Sequence, residues 1–115
     1  MIDQVRPADL AAWIQSQPAG GTGAVVLDVR EPSELQTASV KADERFELLA
    51  IPMNEVPARL SELDPERPIA CLCHHGRRSQ MVAMFLAGHG FDRVANIAGG
   101  IDAWSREVDP TVPSY

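Results

Sequence analysis

Short, wholly apolar runs alternate along this chain with stretches in which apolar residues recur every three or four positions. Ala24-Val25-Val26-Leu27 and Ile69-Ala70-Cys71-Leu72 are continuous, as strands buried on both faces are. Phe46–Ile51, stopped by Pro52, and Arg93–Ile97 read as two further strands. Pro7 opens a helix in which Leu10, Trp13 and Ile14 follow the i, i+3, i+4 spacing. Pro32 opens a short helix through about Ala38. Asn54 is placed to cap another, carrying Val56, Leu60 and Leu63, with Pro57 in its first turn. Ser79–Ala87 is predicted as a helix ended by Gly88 and Gly90, with Met81, Met84 and Phe85 on its buried face. Ile101, Trp104 and Val108 mark the last helix, and Trp13 and Trp104 are expected in the core.

This rhythm predicts an α/β fold, a central, mostly parallel β-sheet with helices on both faces. Sheets of that kind bind ligands beyond the carboxyl ends of their strands. Two segments of unusual polar chemistry lie at such ends. Asp28-Val29-Arg30-Glu31 follows the strand at 24–27, and Cys73-His74-His75-Gly76-Arg77-Arg78-Ser79 follows the strand at 69–72.

Composition narrows the setting. With 115 residues, a single domain over 1–115 is expected, with its core at about 5–109 and an irregular tail at 110–115. The longest strictly apolar run is Met81–Ala87, far short of the roughly 20 residues that a membrane span needs. No basic-then-apolar leader opens the chain, so a cytoplasmic location and no membrane partner are expected. The net charge of −6 disfavours nucleic acid as a partner, because binding to a phosphate backbone runs on Lys and Arg. Locally the balance reverses: His74–Arg78 holds two Arg, two His and no acid, which leaves an anion site open.

There are two cysteines, Cys71 and Cys73. Their spacing is too tight for an unstrained disulfide, so the question is the reactivity of one thiol. Cys71 lies inside the apolar strand and reads as core filler. Cys73 stands where the strand ends and a tight turn leads into a helix. Gly76 permits a positive φ, so successive N–H groups of the turn can face inward as an anion cradle. The following helix adds its positive end, and Arg77 and Arg78 add charge. All three influences favour the thiolate, so this nucleophile needs no dedicated base. The competing view is an inert buried thiol, but His-His-Gly-Arg-Arg is not core material. A metal is not expected, because tetrahedral zinc sites draw their ligands from two separated segments, whereas Cys71, Cys73, His74 and His75 form one.

Cys73-His74-His75-Gly76-Arg77-Arg78-Ser79 resembles the active-site loop of single-domain rhodaneses. Leu27-Asp28-Val29-Arg30-Glu31-Pro32 resembles the second hallmark of that family, and Asn96-Ile97-Ala98-Gly99-Gly100-Ile101-Asp102-Ala103-Trp104 its C-terminal one. The three matches fall in the family's order and span nearly the whole chain. The resemblance implies a rhodanese-like fold and a sulfurtransferase without a cofactor, in which Cys73 carries a persulfide. The donor would be thiosulfate or a persulfide, and the acceptor cyanide, a small thiol or a protein thiol. Amides of His74, His75, Gly76, Arg77, Arg78 and Ser79 would surround the sulfur. Arg78 would close the loop and attract a dianionic donor, Arg77 would act nearer solvent, and Asp28 and Arg30 would support the floor of the site.

Two alternatives stand beside this expectation. One is a rhodanese module that carries sulfur, or binds a protein, without turnover. The other is a Cys-dependent phosphatase or arsenate reductase, whose wider loop places Arg at the sixth position after Cys. Here Arg78 is the fifth and Ser79 the sixth, and the smaller ring suits a sulfur atom better than a phosphate. The chain departs from the single-domain pattern at residues 36–46, which are longer and more charged than the usual His-Ile-x-Gly-Ala-type segment. That segment is expected to alter the rim of the site and the choice of acceptor.

Overall fold

The computed structural model describes residues 2–41 and 43–115. These form a five-stranded sheet, all parallel, in the order β1-β5-β4-β2-β3. The strands are β1 (Asp3–Val5), β2 (Val25–Asp28), β3 (Glu47–Ala50), β4 (Ile69–Leu72) and β5 (Val94–Ile97). The α-helices are α1 (Leu10–Ser16), α2 (Pro32–Thr37), α3 (Arg77–Ala87) and α4 (Gly100–Glu107).

The side-chain period of two splits the central strands between two cores. Val26, Ala70, Leu72, Ala95 and Ile97 face α1 and α4, where they meet Leu10, Ile14, Ile101 and Trp104. Val25, Leu27, Ile69, Cys71 and Val94 face α3, where they meet Val82, Ala83 and Leu86. Leu27, Leu72 and Ile97 are fully buried; each such side chain contributes about 1.5–3 kcal/mol relative to exposure.

Three expectations are corrected. The helix expected from Asn54 does not form. Pro57 has no N–H to give the Met53 carbonyl, which instead accepts from Val56 at 3.3 Å, and the chain runs through 3-10 turns at Met53–Glu55 and Leu60–Glu62. The helix α3 begins two residues earlier than expected and buries Ser79, Val82, Ala83 and Leu86, with Phe85 of the expected face partly buried against the same core. Met81 and Met84 are exposed, because the small Ala83 lets the helix lie close to the sheet along the neighbouring stripe. Trp104 is buried, but Trp13 is only partly so, and its indole N–H donates to Asp3 at 2.8 Å.

Parallel register brings the two polar segments together. Asp28 pairs with Leu72, and the Val29 N–H donates to the Leu72 carbonyl at 2.9 Å. The end of β2 therefore lies beside the start of the cysteine loop. Within the atypical segment, Ala38, Val40 and Phe46 enter the core, and Phe46 meets Trp104 edge-on with ring centroids 6.3 Å apart.

Candidate active site

Cys73 leaves β4 and turns through Gly76, whose φ of +104° only glycine adopts without strain, into α3. The turn aims the Gly76 N–H at the Cys73 Sγ, 3.1 Å away. The Ser79 hydroxyl lies 3.3 Å from the same sulfur. That hydroxyl is also 2.5 Å from Asn96 Oδ1, on β5. The Asn96 amide nitrogen donates to the Gly76 carbonyl at 3.1 Å and to Gln4 at 2.9 Å, which fixes its oxygen toward Ser79. Asn96, on the neighbouring strand, thus holds the loop at Gly76 and at Ser79.

The helix α4 holds the other wall. Its Ile101 N–H donates to the Cys73 carbonyl at 2.8 Å, and the Asp102 N–H to the His74 carbonyl at 3.1 Å. Gly100 must be glycine: its φ is +59°, and a Cβ there would stand 2.4 Å from the Cys73 carbonyl oxygen.

Cys73 is only 1% exposed. Cys73 lines a cup of about 220 Å³ together with His74, His75, Arg77 and Arg78. Arg77 is exposed, and no carboxylate among the described residues pairs with it. Arg78 is engaged: both terminal nitrogens donate to Glu34 of α2, at 2.6 and 2.8 Å. The Arg78 guanidinium, helped by the Tyr115 hydroxyl at 2.7 Å, holds the Glu34 carboxyl down at about 2. The Tyr115 ring stacks on His74 with centroids 3.8 Å apart, and His74 stacks in turn on His75 at 3.9 Å.

A family model, the rhodanese-like domain, matches residues 7–107. The chain belongs to the rhodanese-like domain family. It is 42% identical over 92 residues to a rhodanese-like/PpiC domain-containing chloroplast protein of Arabidopsis thaliana, covering 80% of this chain and 30% of that protein. It is 35% identical over 88 residues to a sulfurtransferase of Allochromatium vinosum, covering 76% of this chain and 78% of that protein. The solved structure of a rhodanese-related protein from Thermoplasma volcanium superposes with a TM-score of 0.75 at 30% identity, over 98% of this chain and 99% of the other.

In this rhodanese-like domain Asp28 and Arg30 pair with each other, not with the loop arginines. Arg30 is fully buried, and its Nε and Nη2 donate to Asp28 at 2.9 and 2.7 Å. Burial opposes its charge; Asp28 and Tyr115 outweigh that and hold it protonated above its ordinary range. Burial and the neighbouring Cys73 push the Cys71 thiol up to about 12, which suits inert filler. Among the described residues no group of three or more His, Cys, Asp or Glu could hold a metal ion.

One expectation about the loop changes. Arg78 is not a free cation waiting for a donor, since Glu34 takes its fork. Sequence reasoning also missed three residues of the site. Asn96 lies in a segment that is legible only as a resemblance. Glu34 lay four residues past Arg30 with no pattern of its own. Tyr115 meets the loop across 41 residues of sequence, and no local signal announces such a contact.

Proposed function

We propose that this chain is a sulfurtransferase that moves sulfane sulfur through a persulfide on Cys73. The observation that carries this reading is the Cys73 Sγ 3.1 Å from the Gly76 N–H, in a residue that lines a cup beside Arg77 and Arg78. The Gly76 N–H, a donor fixed in advance, stabilises an anion there without reorganising. The sulfurtransferase name of the bacterial relative supports the same chemistry.

In the first half-reaction the Cys73 thiolate attacks the outer sulfur of a donor such as thiosulfate. A new Sγ–S bond forms, the donor's S–S bond breaks, and its electron pair leaves on sulfite. In the second, a thiol or cyanide attacks the outer sulfur, and the Cys73 thiolate leaves with the electron pair of the broken bond. Charge balances at each step, and no cofactor is called for. The Gly76 N–H and the positive end of α3 face the anion in both states. The main-chain contacts from Ile101 and Asp102 keep the loop from opening.

Steady-state formation of thiocyanate from thiosulfate and cyanide tests this. The wild type should turn over, and Cys73→Ala should not. A module that only carries sulfur to a protein would load a single equivalent and then stop, even with small acceptors in excess. Turnover by Cys73→Ala at the wild-type rate would refute the proposal.

A further inference from the structure

Glu34 decides the charge of the mouth. It engages both terminal nitrogens of Arg78, and its Oε2 also takes the Tyr115 hydroxyl at 2.7 Å. That hydroxyl accepts from Arg30 Nη1 at 3.1 Å, and Arg30 is itself clamped by Asp28. The carboxylate, carried on α2, is therefore anchored by Arg78 of α3 and by Tyr115, and its side chain is only 20% exposed.

The charges around the sulfur can be counted. Arg77 and Arg78 bring two positive charges. Glu34 removes one, and a Cys73 thiolate removes the other. Asp28 and Arg30 cancel each other. Arg77, Arg78, Glu34 and the thiolate sum to zero before any donor arrives, inside a chain of net charge −6. A compensated site has little attraction for a dianion, whereas a singly charged or neutral donor is admitted at less electrostatic cost.

We infer that Glu34, pinned by Tyr115, is a specificity-determining residue that fits the site to sulfane-sulfur donors carrying one negative charge or none, such as thiosulfonates and organic persulfides, at the expense of dianionic thiosulfate. This inference rests on the persulfide reading of Cys73. With a thiosulfonate the Cys73 thiolate forms the Sγ–S bond, the donor's S–S bond breaks, and its electron pair leaves on the sulfinate. The two negative charges present before the step remain after it, one on the persulfide and one on the sulfinate.

Methanethiosulfonate and thiosulfate share a sulfonyl–sulfur geometry and differ by one charge, so they are the probes. The readout is kcat/KM for each, with cyanide as acceptor, in wild type, Glu34→Gln and Tyr115→Phe at low and high salt. Glu34→Gln should raise the ratio of thiosulfate to methanethiosulfonate by about fivefold at low salt, and high salt should shrink that gain. Tyr115→Phe keeps the stack on His74, loosens Glu34, and should move the ratio the same way by less. A structural role alone would lower both donors equally. An unchanged or falling ratio in Glu34→Gln overturns the inference and leaves the Cys73 chemistry standing. If Glu34→Gln does not fold, Tyr115→Phe decides by the same criterion. No transfer from either donor in the wild type overturns the persulfide reading itself.

Discussion

Asn96 Oδ1 accepts the Ser79 hydroxyl at 2.5 Å, while the other face of that hydroxyl lies 3.3 Å from the Cys73 sulfur. A hydroxyl has one proton, so its commitment to Asn96 orients the oxygen beside the sulfur. Asn96 is 3% exposed and also serves the Gly76 carbonyl. Asn96→Ala therefore removes the support of the Gly76 carbonyl and of the Ser79 hydroxyl. It should cost about 1–3 kcal/mol through the partners left unpaired. Urea unfolding measures this, and an unchanged midpoint would show that the turn holds itself.

Gly100 is the point at which α4 meets the cysteine loop. Gly100→Ala must place a Cβ 2.4 Å from the Cys73 carbonyl oxygen at a φ of +59°. The strain and the forced shift should together destabilise by about 2–4 kcal/mol, and the displaced loop should lose sulfur transfer. Thermal unfolding together with a thiocyanate assay checks both. A variant as stable and as active as wild type would mean that the loop is not locked by α4.

The Asp28–Arg30 pair is buried, with side-chain exposures of 2% and 0%. Asp28→Asn leaves the Arg30 charge without its counter-ion and should cost about 3–5 kcal/mol. Denaturant titration reads this directly, and a loss under about 1 kcal/mol would show that Arg30 finds compensation elsewhere.

Much of this architecture is legible in the chain, and its failures have physical causes. β2, β4 and β5 announce themselves because central parallel strands are apolar on both faces. The edge strand β1 gave no such signal: of Asp3-Gln4-Val5 only Val5 is buried, and the strand is defined by its register against Ala95, Asn96 and Ile97. The buried stripe of α3 was ambiguous because residues 81–87 are apolar all round, so two adjacent stripes fit equally well. At the site, the cysteine loop could be located from its own residues. The partner of Arg78 could not, because the Glu34 contact spans 44 residues and depends on α2 lying against the mouth.

The Glu34 carboxyl is lowered from 4.5 to about 2, first by its hydrogen bonds from Arg78. A group depressed on folding contributes stability above its unfolded value and loses it as pH falls through the folded one. Stability should therefore decline between about pH 4.5 and pH 2, by about 1–2 kcal/mol from this group once solvent screening is allowed for. Glu34→Gln should flatten that part of the curve. Parallel curves for the two proteins would show that the pair adds nothing to the fold.

The most direct measurement is the intact mass of the reduced protein after incubation with thiosulfate or methanethiosulfonate, followed by peptide mapping. One added sulfur atom, mapped to Cys73, absent from Cys71 and discharged by cyanide, is the predicted result. A sulfur atom on Cys71, or equal loading of Cys73→Ala, would contradict the assignment of the chemistry to Cys73.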